Sequence, residues 1–170
     1  GARKPKSKFA GLLEPTNLVH AVCYLREERD LQTLSDCDLE RAFVGRRRDL
    51  RLLALGSAAC ELVERLTVDL ETNKRLYACL EGVLKGLEEV EVEQAESLFW
   101  YFQLRAAEAL GYRPELRRCS LCGKDLDPKA AWFSAAAGGS LCPACGPVSG
   151  LRVAGGSLAL LASLQGLRTY

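Results

Sequence analysis

The sequence lacks any long run of apolar residues. Charged or polar residues interrupt every apolar stretch within a few positions, although 48% of the 170 residues are apolar. A membrane-spanning helix needs about 20 predominantly apolar residues, so no segment predicts one. The first residues also lack the basic start, apolar core and small-residue cleavage site of a secretory signal. We therefore expect a cytoplasmic protein.

Side chains suited to covalent catalysis are scarce. The one histidine, His20, lies in a predicted strand, far along the chain from the paired cysteines of residues 119–145. No glycine-rich loop followed by lysine, which would cradle nucleotide phosphates, is present, and the GGS of residues 155–157 predicts only a turn. Because no catalytic set of residues emerges, we expect that the protein is not an enzyme.

Neither sign of charge is in large excess, since the sequence contains 23 Lys and Arg residues and 22 Asp and Glu residues. The distribution is uneven: residues 1–9, GARKPKSKF, contain four cations and no acid, whereas residues 81–96 are acidic. An extended basic segment can follow a row of phosphates, and such binding weakens as salt rises. A solvated terminus is the alternative. A second cluster, comprising Arg46, Arg47, Arg48 and Arg51, opens a predicted helix and is a candidate for partner binding.

Two Cys-x-x-Cys pairs are the most specific motif of the sequence. They lie in CSLCGKDLDPKAAWFSAAAGGSLCPAC, residues 119–145, and their spacing is typical of a zinc ribbon. Four thiolates complete the tetrahedral shell of a structural Zn²⁺ and leave no open position for catalysis. Cys119, Cys122, Cys142 and Cys145 are therefore the predicted metal ligands. A rubredoxin-like iron site uses the same four ligands, and disulfides are an alternative if the chain is exported.

The other four cysteines have no predicted chemistry. Cys23, Cys60 and Cys79 lie in apolar patterns, where a reduced cysteine usually behaves as a small buried hydrophobe. Cys37 lies in a polar stretch that predicts a turn, and no role is assigned to it.

Apolar spacing divides the chain into four regions. Residues 18–25 and 31–34 predict two strands joined by the charged loop 26–30. Residues 38–111 predict helices with apolar faces at helical spacing, and Gly111 predicts the end of the last one. The cysteine module follows with a small hairpin between its pairs, and an apolar stretch from about residue 155 predicts a helix that returns to the bundle.

Several of these features occur in the order found in the RecO family of bacterial recombination mediators. They are GARKPKSKFAGLLEP followed by a hairpin, the helical stretch, LGYRPELRRCSLCG, and a second cysteine pair after FSAAAGGSLC. The sequence resembles RecO over nearly its whole length. The resemblance implies a mainly α-helical (α+β) protein with a partial N-terminal OB-fold β-barrel and a small zinc-ribbon insert built on four cysteines. The implied domains are the remainder of the barrel (1–37), the helical domain (38–118), the zinc-binding cysteine module (119–147) and a C-terminal helical segment that packs on the helical domain (148–170).

The family's function would then be DNA repair and recombination in the RecF pathway. The resemblance implies binding of single- and double-stranded DNA, annealing of complementary strands, and cooperation with RecR to load RecA onto DNA coated by single-stranded-DNA-binding protein. It also implies docking of the acidic C-terminal tail of that coat protein, and work at the bacterial nucleoid. Structural Zn²⁺ is the implied cofactor.

The resemblance implies functional roles only for those residues of this sequence that match a motif of the family. GARKPKSKF matches a basic strand and loop of the family's barrel, which makes Arg3, Lys4, Lys6 and Lys8 the expected DNA contacts. Tyr24, in the next strand, is a weaker candidate for base stacking, because a packed strand aromatic is the more ordinary outcome. Arg105 joins the four arginines of residues 46–51 as a candidate for partner binding.

The sequence departs from the family at its start. RecO proteins have about two further strands before the GARKPKS segment, and a five-stranded barrel is not expected to close from the strands present here. Two other functions stay open: a zinc-stapled helical adaptor that binds only proteins, and an iron redox carrier.

Overall fold

The first two strands of the described residues form a long β-hairpin. The computed structural model describes residues 7–26, 28–29, 31–43, 49–68, 71–127 and 131–168. Strands β1 (Asn17–Tyr24) and β2 (Thr33–Ala42) pair antiparallel, with register shifts between Leu18 and Val19 and between Val22 and Cys23. The side chain of Gln32 closes the loop by accepting from the Arg26 amide at 2.7 Å. The predicted hairpin is thus confirmed.

Strand β2 is longer than its sequence suggests, and two predictions fail there. The helical region does not begin at residue 38, since β2 continues to Ala42. Cys37 does not lie in a turn: it is a strand residue opposite Ala21 and is 5% exposed. The stretch from Asp36 to Glu40 is too polar to show strand periodicity, and its backbone pairing with β1 decides its structure.

The sheets of the described residues do not close a barrel. β1 and β2 form a two-stranded sheet, and the second sheet belongs to the cysteine module. The predicted partial barrel is therefore present as one hairpin, and an OB-fold is not established by it.

Three helices form the main core, as their apolar spacing predicts. They are α1 (Leu50–Leu66), α2 (Lys74–Glu89) and α3 (Ala95–Ala109), with a 3-10 turn at Val92–Gln94 before α3. Asp49 and Asn73 cap α1 and α2 by accepting backbone amides at 2.7 and 2.9 Å, which satisfies donors that a helix start leaves unpaired. Gly111 ends α3 with φ of +85°. The buried residues of this core are Leu52, Ala59, Leu76, Val83, Leu84, Leu87, Ala95, Leu98, Phe102, Ala106 and Phe43.

Phe43 attaches the hairpin to the helices. It follows β2 and is 3% exposed in the helical core. Arg41 of β2 pairs with Glu88 of α2 at 3.2 Å, and its guanidinium lies 5.1 Å from the Phe43 ring centroid. Leu18 of β1 also packs against this core, so apolar packing and an ion pair both attach the hairpin to the bundle.

The cysteine module and the segment that follows it form a three-stranded sheet in the order β4-β3-β5. β3 (Ala131–Ser134) and β4 (Gly139–Leu141) form the predicted small hairpin, and the four-residue helix α4 (Gly146–Ser149) leads to β5 (Leu151–Val153). β5 falls in the segment 148–170, for which the sequence predicts only helix. Three residues are too short for a recognisable strand pattern, and only pairing with β3 makes them a strand.

Helix α5 (Gly155–Gly166) packs against α3, as predicted for a returning helix. It begins at Gly155, so the predicted turn at residues 155–157 is instead the first turn of this helix. A second core of Leu116, Ala131 and Leu158, with Leu104 packed against it, joins the module to α3 and α5. No helix of the described residues is both long and apolar enough to cross a membrane.

Candidate metal centre and binding surfaces

Two tight turns bring the four predicted ligand sulfurs together. In the first turn, the Gly123 amide donates to the Cys119 carbonyl at 2.8 Å, and in the second the Gly146 amide donates to the Cys142 carbonyl at 2.8 Å. The Sγ atoms of Cys119, Cys122, Cys142 and Cys145 all lie within 4.8 Å of one another. The four residues that the spacing singled out thus form one cluster, which can hold a metal ion.

The sulfur separations fit a four-coordinate metal better than a disulfide. A tetrahedron with metal–sulfur bonds of about 2.3 Å places sulfurs about 3.8 Å apart, and the Sγ atoms of Cys122 and Cys142 are 3.7 Å apart. A disulfide would bring two sulfurs to about 2.05 Å. All eight cysteines are free thiols in this structure, so the disulfide alternative is not supported.

Backbone amides prepare one thiol in each turn for metal binding. The Cys142 amide, by hydrogen bonding to sulfur, lowers the pKa of Cys119 to about 6, and the Cys145 amide lowers the pKa of Cys142. Hydrogen bonding to the Cys142 sulfur raises the pKa of Cys145 to about 12, because Cys145 is the donor in this bond and keeps its proton. Donors aimed at sulfur favour the thiolate, which is the form that binds metal.

Two glycines permit the turns for different reasons. Gly123 has φ of +72°, a backbone conformation that glycine adopts without steric cost. Gly146 lies against the Trp132 indole, where an added Cβ would be only 2.2 Å from Cγ of the ring. The second turn therefore packs directly on an aromatic side chain of β3.

Backbone hydrogen bonds hold the first turn against β4. The Ser120 amide donates to the Ser140 carbonyl at 2.9 Å, and the Ser140 amide donates to the Glu115 carbonyl at 2.7 Å. The Glu115 carboxylate accepts from the Arg117 amide at 2.8 Å, and this bond lowers the pKa of Glu115. Since Cys142 directly follows β4, these bonds set the distance between the two cysteine pairs.

Of the remaining cysteines, Cys60 and Cys79 are partly buried against the main core, as predicted. Cys23 is exposed on β1, so its predicted burial is wrong. The apolar alternation around Cys23 does not bury it, because both faces of β1 are exposed to solvent from His20 to Tyr24. His20 is exposed on the same strand and is not part of the sulfur cluster.

Lys8 is the described member of the predicted DNA-contact segment; Arg3, Lys4 and Lys6 lie outside the described residues. Its ammonium group donates to the Ser35 carbonyl, lies 3.7 Å from the Asp36 carboxylate and stacks on the Phe9 ring. The side chain remains 62% exposed. Lys8 is thus held on β2, with part of its charge offset by Asp36.

Tyr24 lies at the end of β1, opposite Thr33, and is 66% exposed. The more ordinary expectation, a packed strand aromatic, is wrong because no element of the described chain covers this end of the hairpin. The exposed ring is available for stacking.

The predicted partner-binding arginines are not brought together in the described residues. Arg46, Arg47 and Arg48 lie outside them, and Arg51 is exposed in the first turn of α1. Arg105 projects from α3 and pairs with Glu108 at 2.7 Å.

Arg105 also lines a groove of about 880 Å³ between α2 and α3, together with Arg75 and Arg168. Small residues of α2, among them Ala78 and Gly82, open this groove, which the sequence analysis missed. The spacing of these small residues, four positions apart on one face of α2, was the indication of a groove in the sequence.

Comparison with known proteins places the chain in a family. The family models described as "Recombination protein O N terminal" and "Recombination protein O C terminal" match residues 1–43 and 47–169. The chain belongs to the RecO family. The boundary between the two matches falls just after β2, which agrees with the observed end of the hairpin rather than with a division at residue 37.

Curated RecO relatives are similar along most of the chain. The DNA repair protein RecO of Syntrophotalea carbinolica is 35% identical over 163 residues, which cover 96% of this chain and 62% of the relative. Those of Roseiflexus sp. and Pelotomaculum thermopropionicum are 34% and 36% identical, covering 89% and 85% of this chain and 52% and 54% of the relatives. The chain therefore spans little more than half the length of these RecO proteins. RecO family members are DNA repair proteins.

Proposed function

We propose that the protein is a DNA-binding recombination mediator of the RecF pathway. It binds single-stranded DNA, anneals complementary strands and, with RecR, helps to load RecA onto DNA coated by single-stranded-DNA-binding protein at the nucleoid. The observation that carries this proposal is the match to both RecO regions, in order, along the chain. No bond is made or broken in this function, so the protein acts as a scaffold and not as an enzyme.

DNA contacts are proposed along the N-terminal ribbon, which we define as residues 3–8 with β1. Lys8 supports this assignment because its ammonium group is fixed at the surface of the hairpin, where a phosphate can reach it. Tyr24 adds an exposed ring, and bases stack readily on such rings. Arg3, Lys4 and Lys6 are assigned from the sequence motif.

Zn²⁺ is the proposed occupant of the sulfur cluster, with a structural role. Four thiolates suit Zn²⁺ and fill its coordination shell. When bound, the metal would fix two turns that otherwise depend on a small core of Cys119, Leu141 and Cys142. Purified protein should contain one Zn²⁺ per chain by atomic emission and be colourless, and a coloured, reducible sample would instead establish an iron site.

A strand-annealing assay tests the function. The double variant Lys6→Glu and Lys8→Glu should anneal complementary oligonucleotides more slowly and bind single strands more weakly. Each lost phosphate contact reduces the slope of log affinity against log salt by about 0.7, so the slope should fall by about 1.4. The matched control is Arg65→Glu with Lys85→Glu, two helical cations paired with Glu61 and Glu81. It changes net charge equally and should leave annealing unchanged; equal behaviour of the two double variants would refute the ribbon as the DNA contact.

The groove between α2 and α3 favours a second candidate, an adaptor that binds protein. The partly buried Val90 and Tyr101 contribute apolar surface. Arg75, Arg105 and Arg168 supply positive charge, against the lining carboxylates of Glu89 and Glu108. This combination suits an acidic, apolar peptide such as the proposed tail of the coat protein. A fluorescent peptide with such a C-terminus should lose affinity for Arg105→Ala. A protein that captures this peptide or RecR but retains no DNA at low salt would be the adaptor and not the mediator.

A further inference from the structure

Three helix ends converge at one end of the bundle. The Asn73 side chain donates to the Ala109 carbonyl at 3.4 Å, which places the start of α2 beside the end of α3. The Gln165 side chain donates to the Pro114 carbonyl at 2.8 Å, which brings the last turn of α5 to the segment after α3. Residues that are distant in sequence therefore share this end of the molecule.

Arginines from four segments gather there. Glu108 links two of them, because one carboxylate oxygen is 2.7 Å from Arg105 and the other is 3.6 Å from Arg113. The Arg117 guanidinium reaches α5, where it lies 3.7 Å from the position that a Cβ on Gly166 would occupy. We define the bundle-end surface as Arg75, Arg105, Arg113, Arg117 and Arg168 with Tyr112.

Positive charge is in excess on this surface. Of its five guanidinium groups, those of Arg105 and Arg113 pair with the Glu108 carboxylate. Glu108 is already shared, and Glu115 accepts from the backbone amides of Arg117 and Arg118. Neither Arg117 nor Arg168 forms an ion pair with a carboxylate of the described chain. Arg117 and Arg168 are exposed, so their guanidinium groups are accessible to an external anion.

An exposed aromatic completes the surface. Tyr112 follows Gly111, is 79% exposed, and is fixed by its amide, which donates to the Ala107 carbonyl at 2.8 Å. Guanidinium forks bind phosphates and exposed rings stack on bases, and together they are typical of single-strand binding surfaces. Tyr112, Arg113 and Arg117 do not line the apolar groove, so a docked apolar peptide would not account for them.

We propose that the bundle-end surface is a second contact site for single-stranded nucleic acid, separate from the N-terminal ribbon. Arg113, Arg117 and Arg168 bind successive phosphates, and Tyr112 stacks a base. The proposal rests on the proposed DNA binding and extends it: a strand held at two places on one chain is bound over a longer stretch than the hairpin alone can cover.

The test compares double variants by fluorescence anisotropy with a labelled oligothymidylate of about 40 nucleotides, longer than one such site binds. Arg113→Glu with Arg117→Glu should weaken binding at least about tenfold and lower the salt slope by about 1.4. Arg113→Lys with Arg117→Lys should keep most of the affinity, and the control Arg65→Glu with Lys85→Glu should keep all of it. Tyr112→Ala should weaken binding at least about fivefold, whereas Tyr112→Phe should not.

The outcomes separate this inference from the proposed function. Suppose that the wild type binds and that only the ribbon variant, Lys6→Glu with Lys8→Glu, shows weaker affinity and a smaller slope of log affinity against log salt. The bundle-end site is then wrong and the mediator function stands. If wild type does not bind the oligonucleotide, both are wrong. A bundle-end variant that loses an acidic peptide but keeps DNA overturns the inference in favour of a protein-binding surface. Circular dichroism melting and metal content check that each variant is folded.

Discussion

The contact between Gly146 and Trp132 gives the sharpest test of how the metal centre is built. In the substitution Gly146→Ala, the new methyl carbon would lie 2.2 Å from Cγ and 2.3 Å from Cδ1 of the indole. Ordinary carbon–carbon contacts are about 3.5–4.0 Å. The ring or the turn must therefore move by about 1.3 Å or more.

Neither group has room to move freely. Trp132 lies in the central strand of its sheet, between Leu141 and Arg152, and Gly146 directly follows the predicted ligand Cys145. Overpacking of this kind typically costs about 1–3 kcal/mol. Ligand distances in a metal site are held to about 0.2 Å, so displacement of Cys145 should also weaken metal binding. We expect Zn²⁺ affinity to fall by more than about tenfold, which corresponds to about 1.4 kcal/mol.

Competition with a chromophoric chelator measures the Zn²⁺ affinity, and tryptophan fluorescence reports the displaced ring. Gly156→Ala is the matched control, because a Cβ at Gly156 in α5 meets nothing within 4 Å. The control should bind metal as wild type does. If Gly146→Ala binds Zn²⁺ as tightly as wild type with unchanged fluorescence, the turn does not depend on this contact.

Two further predictions concern the rest of the chain. Phe43→Ala should destabilise the protein by about 3–5 kcal/mol in urea unfolding, because it leaves a cavity in the helical core. Arg41→Ala removes a half-exposed ion pair and should cost about 1 kcal/mol or less. Similar costs for the two variants would show that the hairpin is not anchored by Phe43. Glu115→Gln should reduce stability modestly at neutral pH, because the native pKa of Glu115 is lowered and its ionised carboxylate stabilises the fold. The deficit should begin to shrink as pH falls through the ordinary value of 4.5 and disappear below the lowered native pKa. A deficit that is constant with pH would contradict this origin.

Local patterns were sufficient wherever one short segment carries the information. The four-cysteine cluster followed from the spacing of two cysteine pairs, since each pair needs only one turn to bring its sulfurs together. The three helices followed from apolar spacing, because a helix buries one face and the residues of that face recur every three or four positions in the sequence. The family followed from motifs in order, and the comparisons confirm it.

Pairing between distant segments decided the rest. β2 extends to Ala42 and β5 exists at all because their backbones hydrogen-bond to β1 and β3, and their own side chains carry no clear strand pattern. Cys37 is buried and Tyr24 exposed for the same reason: which face of a hairpin is covered depends on what packs against it.

The sequence by itself determined the two cysteine turns and the helical core, because those depend on residues near one another along the chain. Only the tertiary structure decided that Gly146 must lie against Trp132, that a groove opens between α2 and α3, and that arginines from four segments meet at one end of the bundle. These features arise where chain segments converge, and a linear sequence does not specify which segments those are until the chain has folded.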